Sequence, residues 1–503
     1  MVDKDRIDNK DNPDVIVVGT GNAAFCAAHA ATERGARVLM LDKAPAEASG
    51  GNTFFTAGAI RTTYGGVEEL AELIDDGDTR LPHADIAPYG PDDFIADMRR
   101  VTQGHCDPEL TRTMAQDIAG TIRWMRAHGI RFRLQYERQS HEVQGRHRFF
   151  GNLPLATVDG GKGLVAQHHS AAERSGVAIR YSTEVDRLLI GPDGRVTGVA
   201  SGTTEFRAPS VVLASGGFQA NSLLRAQYLG PNWDLAKVRG TPYNTGQALQ
   251  AALDLGAAPA GHWSGCHAVA WDADAPQTGD FELTNRYTKQ SYPYSIVVNA
   301  DGHRFLDEGA DLRNYTYAKY GAEILRQPGA RAWQIFDART TPLLGKAEYE
   351  APGVSRIQAD SIAELAERAG IDPAGLEHTV KEYNAATSTG TFDPSRKDGL
   401  GTTGLQPPKS NWAQPLDQPP YLAFAVTCGI TFTFGGLKID TDARVLDTEG
   451  AAIPGLFAAG ETVGGLFAHN YPGGSGLSAG AVFGRRAGTG AAALALDTRA
   501  AGQ

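Results

Sequence analysis

Gly19, Gly21 and Ala24 stand in G-x-G-x-x-A spacing, and the carboxylate of Asp42 follows eighteen residues after Ala24. In this arrangement Gly19 permits a tight turn, Gly21 lets the backbone approach a pyrophosphate, and Ala24 lets a helix pack closely on a sheet. Amides at Asn22 and Ala23, where a helix would begin, add a partial positive charge suited to phosphate. Asp42, with Lys43 beside it, would meet the ribose end of the ligand. The chemistry expected is dinucleotide binding.

Such a motif works only in the right frame. Residues 14–19 read as a buried strand rich in β-branched side chains. An alanine-rich helix then runs to residue 34, and a second strand covers 38–41. Gly50, Gly51, Asn52, Thr53, Ala57 and Gly58 form a small, polar loop able to lie against a ring system with little steric demand. Far along the chain, 453–461 reads as an apolar strand ending in Gly460 and Glu461. Ser475, Gly476 and Leu477 introduce a helix expected over 478–486. Both ends of the chain thus build one cleft. A helix N-terminus aimed at a flavin's pyrimidine end would stabilise the negative charge of reduction.

Composition narrows the field. The 503 residues allow two or three domains, and 42% apolar with 21% charged residues is an ordinary globular balance. A formal charge of −11 disfavours nucleic-acid and anionic-membrane partners. Four scattered cysteines without a CxxC pair argue against zinc, iron–sulfur and haem sites, so no metal is expected. Free thiols suit a reducing cytoplasm. The polar stretch 1–13 reads as a flexible tail rather than a signal peptide, and no apolar run is long enough for membrane insertion.

Over residues 14–488 the sequence resembles the flavoprotein family of fumarate reductase and succinate dehydrogenase. The resemblance implies an α/β fold in which a Rossmann-like FAD-binding domain is split by an inserted α+β cap carrying the substrate site. It implies that the GGNT loop and the AAGE strand hold FAD, and that 211–217, ending in Gly216 and Gly217, is the strand returning to it. The 244–248 segment resembles the family's TGDG turn, with Gln247 in place of the acid. Segments 239–246, 263–269, 305–320 and 464–476 are most similar to FAD-dependent tricarballylate dehydrogenases. Phe54 and Phe55 stand in the loop where some members attach FAD through histidine, so noncovalent FAD is expected. The division expected is a tail over 1–13, FAD domain over 14–266, cap over 267–427 and FAD domain again over 428–503.

The implied reaction forms or reduces a C=C bond beside a carboxylate or carbonyl. Arg313 matches the family's proton-carrying arginine, with Asp311, Glu308 or Asp307 expected to relay its proton. His267 matches a substrate-binding histidine. His469 and Tyr471, beside the flavin-proximal glycines, are expected to bind a carboxylate and to polarise a carbonyl, and Arg61 to bind an anion. Phe467 and Tyr471 occupy the positions of the family's substrate histidine and clamp arginine, which turns the expectation away from fumarate and toward a tricarballylate-like polycarboxylate. The Tyr471-Pro472-Gly473 run also resembles ketosteroid dehydrogenases, one enzymatic alternative; a fumarate-reductase-like enzyme is the other. An inactive flavin-binding subunit, for assembly or redox sensing, is the non-enzymatic one. Tyr315, Tyr317 and Tyr320 are expected to pack the cap. Electrons would leave to a separate acceptor, a protein, a quinone or oxygen.

Overall fold

The computed structural model describes residues 13–501; the tail expected over 1–13 lies, but for Pro13, outside the described residues. Strand β1 (Val15–Val18), helix α1 (Asn22–Glu33) and strand β2 (Val38–Leu41) occur in the expected order. Every residue of β1 and β2 is buried, which explains their continuous apolar run. A short helix α2 (Gly51–Phe54) occupies the polar loop, and strands β3 (Ala178–Arg180) and β4 (Ser210–Leu213) follow. These strands align in parallel as β3-β2-β1-β4, with Val17 facing Met40 on one side and Val212 on the other.

A second sheet is built from β5 (Lys237–Val238), β6 (Cys266–Asp272), β7 (Ile296–Val298), β8 (Arg331–Phe336), β9 (Arg356–Ala359) and β10 (Tyr421–Thr433). Its axis is the 13-residue β10. The first half of β10 pairs with β8 and β9, the second with β6 and β5. Helix α3 (Tyr317–Leu325) lies against β6, where a Cβ on Gly321 would come 2.6 Å from the Ala268 carbonyl carbon. A separate core of Ile296, Val298, Trp333, Ile335, Ala423 and Ala425 sits on this sheet. The sheet runs from Lys237 to Thr433, so the divisions read from sequence at 266/267 and 427/428 fall inside strands β6 and β10.

Residues 387–420, a stretch rich in glycine, proline and polar residues, hold no helix or strand, yet part of it is buried. Lys409 and Trp412 are buried, and the Lys409 ammonium donates to the Ser295 carbonyl at 2.6 Å. Such a segment stays inside because its polar groups find partners.

The chain then returns to the first sheet through β11 (Arg444–Leu446) and β12 (Ala452–Ala458), giving the order β11-β12-β4-β1-β2-β3. It closes with α4 (Ser475–Ala501), 27 residues rather than the short helix over 478–486 read from sequence. Interior glycines hid its length. A Cβ at Gly484 would come 2.4 Å from the Ala23 carbonyl oxygen, and one at Gly488 2.0 Å from that of Ala27. These glycines cost helix propensity but let α4 press against α1, behind the glycine turn.

Candidate active site

One cleft, about 1640 Å³ in empty volume, runs from the β1–α1 turn to the inner edge of the second sheet. Of the residues expected at the cofactor, Gly19, Gly21, Asn22, Ala23, Asp42, Lys43, Gly51, Asn52, Thr53, Ala57, Gly216, Gly460, Glu461, Gly476 and Leu477 line it. Gly19 has φ +113°, and a Cβ there would stand 2.4 Å from the Ala214 carbonyl oxygen. Gly21 differs: its Cβ would meet nothing closer than Thr53 Oγ1 at 3.5 Å, so its open side faces the cleft. Asn22 Nδ2 donates to the Leu477 carbonyl at 3.0 Å and ties the starts of α1 and α4 together. Asp42 accepts from the Thr20 hydroxyl and from the Ala44 amide, and burial raises its pKa. Lys43 reaches Glu184 at 2.9 Å and Thr245 at 2.6 Å. Gln247 also meets this lysine, at 3.3 Å, from the position where the sequence lacks the usual acid.

Glu461 is held by three side-chain amides, Asn52, Gln219 and Asn244, at 3.2–3.3 Å. Burial nevertheless pushes its carboxyl up to about 7. Ala24, Gly50, Gly58, Gly217 and Ser475, expected at the cofactor, are not on the cleft wall. They support it: Ala24 and Ser475 are fully buried, and Gly50 starts α2 in a left-handed conformation. At Gly58 and Gly217 a Cβ would strike the Thr157 and Thr433 hydroxyls at 2.2 and 2.4 Å. Phe54 and Phe55 cluster with Phe281. Taken together, a sterically open glycine turn, a helix start facing the cleft and a carboxylate at the end of β2 fit an FAD pyrophosphate and ribose.

The other end of the cleft is built from side chains. Arg138, Arg239, His267, Arg313, Tyr317, Phe432 and Tyr471 converge there. His267, on β6, stacks on Phe432 at 5.1 Å and meets the edges of Tyr317 and Tyr471 at 5.0 and 4.8 Å. Burial, then the Arg239 charge, holds it neutral. Tyr317 donates to the Tyr471 hydroxyl at 2.8 Å. It therefore belongs to the site rather than to cap packing, whereas Tyr315 bonds Asp97 and Tyr320 the Asp307 carbonyl. Arg239 is fixed by Thr431 at 2.9 Å and by Asn285. Arg313 donates to the main-chain carbonyl of Arg138, and burial lowers its pKa. Arg138 itself pairs with Glu348 and donates to Gln290 at 3.1 Å.

Several sequence expectations are corrected. None of the relay acids reaches Arg313: Glu308 pairs with Arg304, Asp307 bonds Ser410, and Asp311 pairs with Arg100 and Lys397. Arg61 is fully buried outside the cleft wall, its guanidinium donating to the carbonyls of Gly473, Gly151 and Asn152. That engagement makes it a brace for the Gly473–Gly474 turn, not an anion ligand. His469 is exposed and turned away, against His262 and His105 at 4.6 and 5.2 Å. Its neighbour Tyr471 does enter the cleft, because His469 takes φ +60° and reverses the chain between them. Arg138 and Glu348 went unseen, since neither stands in a recognisable motif. Arg239 lies inside a segment that carried the family resemblance, which was its only signal.

Fold and cleft together define a flavoprotein with a split dinucleotide-binding domain. The chain belongs to the FAD binding domain family, whose model matches residues 14–477. A cytochrome-type fumarate reductase of Shewanella frigidimarina is 29% identical over 488 residues, spanning 96% of this chain and 77% of that protein. A 3-oxosteroid 1-dehydrogenase of Mycobacterium tuberculosis is 26% identical, over 92% of this chain and 94% of its own. Among solved structures, the open conformation of a flavocytochrome c3 fumarate reductase has a TM-score of 0.70 and 29% identity, covering 97% of this chain and 79% of the other. The protein binds FAD and is an FAD-dependent oxidoreductase acting on CH–CH bonds. No helix among the described residues is long and apolar enough to cross a membrane.

Proposed function

We propose that the substrate is a small polycarboxylate of the tricarballylate type, interconverted with a cis-aconitate-like alkene. One observation carries this reading: three guanidiniums, Arg138, Arg239 and Arg313, line one end of the cleft, and of these Arg138 is paired with an acid, Glu348. Cations in excess of anions along a cleft wall call for an anionic ligand, and they overcome locally the repulsion from a net charge of −11. FAD, when bound, supplies the two-electron acceptor or donor for the hydride. The arginines orient the carboxylates and stabilise the enolate-like charge that develops beside the reacting carbon. Arg313 carries the proton at that carbon, its own pKa lowered by burial, with the Arg138–Glu348 pair behind it in place of the acids expected from sequence. Neutral His267 offers a ring nitrogen to the substrate, and Phe432 helps to exclude water.

The Tyr317–Tyr471 hydroxyl pair supports a second reading, a ketosteroid-type dehydrogenase in which phenols polarise a carbonyl. Electrons pass to a separate acceptor, a protein, a quinone or oxygen. Four buried, unpaired cysteines support a cytoplasmic location. Anaerobic mixing of the oxidised holoenzyme with substrates tests the assignment. Bleaching by tricarballylate, reversed by cis-aconitate, is expected. Bleaching by a 3-ketosteroid alone would replace the first reading with the second, and silence toward both would point to a flavin-binding subunit without this activity.

A further inference from the structure

Arg138 Nε and Arg313 Nε are both buried without a hydrogen-bond partner. Both side chains line the cleft, and Arg313 is anchored to the main chain of Arg138, donating through Nη2 to its carbonyl. On Arg138, Nη1 meets Glu348 and Nη2 donates to Gln290 at 3.1 Å, leaving Nε as the unengaged edge of the fork. Arg239 is different: its Nε and both Nη atoms already bond Asn285 and Thr431. Orphaned, charged N–H groups in a buried place are costly, and the Arg313 charge acts unfavourably on Arg138. Burial and the Arg313 and Arg239 charges push Arg138 down to about 9. A single anion placed between the two arginines relieves all of these costs at once.

We propose that Arg138 and Arg313 form a seat for one carboxylate of the substrate, its two oxygens accepting one Nε–H from each arginine. This rests on the polycarboxylate reading and sharpens it. Arg138 becomes the specificity-determining residue that distinguishes a tricarboxylate from the dicarboxylate lacking the seated group. Arg313 then holds a carboxylate and serves the neighbouring carbon from one planar group, which fixes where the proton is exchanged.

The test uses holoenzyme reduced beforehand under anaerobic conditions, so that tricarballylate cannot turn over, with binding read by calorimetry. Tricarballylate, glutarate (no central carboxylate) and methylsuccinate (one terminal carboxylate removed) are compared. Arg138→Gln is expected to weaken tricarballylate by about 10- to 100-fold and to leave one of the two dicarboxylates within about 2-fold. Arg138→Lys, which keeps a charge opposite Glu348 but loses Nε–H, is expected to show the same selective loss and serves if the glutamine variant does not fold. Equal weakening of all three ligands, unchanged binding, or full recovery by lysine would overturn the seat. Failure of the wild type to bind any of the three would instead overturn the polycarboxylate reading on which the seat rests.

Discussion

The two ends of the cleft are made in opposite ways. The cofactor end is mostly backbone: a glycine turn, two helix starts and the loop of α2, with side chains small or already bonded to one another. The substrate end is mostly side chains, drawn from positions between 138 and 471, and three of its nitrogens, on Arg138, His267 and Arg313, lack partners. A backbone-built site recognises what every flavin has in common. A side-chain-built site can be re-specified without disturbing the first, which is how one fold serves different substrates.

The contrast can be broken most sharply at Gly21. Because its open side faces the cleft rather than protein, Gly21→Val is expected to fold yet lose FAD by at least ~100-fold in affinity, since a branched side chain fills the pyrophosphate space. Colourless protein with a cooperative thermal transition is the expected result; retained yellow colour would refute it. Gly19→Val should not fold at all, since its side chain would strike the Ala214 carbonyl at positive φ. At the substrate end, Arg313→Lys and Arg313→Ala should keep FAD while flavin reduction slows by ~100-fold or more. Stopped-flow at saturating substrate decides this, because a defect confined to KM would make Arg313 a binding group only.

Arg61 tests whether a cation near the cleft must serve it. Arg61→Ala should lower stability by roughly 3 kcal/mol, removing the guanidinium that donates to three carbonyls of the Gly473 turn and its neighbours. Its KM should stay near normal at a temperature where it remains folded. The smallest effect is expected at His469, where alanine should change both KM and the reduction rate by less than about 2-fold, as for an exposed residue outside special features. A 10-fold rise in KM at His469 would place substrate on a different wall.

The same division explains what the sequence made legible. The β1–α1–β2 unit announced itself because its residues are consecutive and each glycine has a local steric reason. Glu461 and Leu477 were legible for a similar reason, each closing a short apolar or glycine-rich run. Arg138 and Glu348 were not, because they meet only after some two hundred residues fold between them. Arg61 and His469 misled because proximity in sequence to the flavin loops was taken as proximity to substrate. In fact Arg61 turns to carbonyls behind the wall, and a left-handed residue points His469 outward. The relay acids failed likewise: their sequence neighbours to Arg313 are engaged by Arg304, Ser410 and Arg100. Helix α4 runs well past the expected 478–486, and its interior glycines serve contact with α1.

Strand β10 sets a limit on how this protein can vary. Its first residues belong to the core of the second sheet, while Thr431 and Phe432, near its end, form the wall of the cleft. Phe432 pairs with His267 and Ile430 with Ala268, so the register shifts at Thr431 and these two consecutive residues, Thr431 and Phe432, both reach the cleft; removing one residue between Tyr421 and Gly429 would slip that register. Thr431 would leave Arg239, and Phe432 would leave His267. Length changes within β10 are thus excluded, and substrate preference can drift by substitution along this strand far more readily than by insertion or deletion.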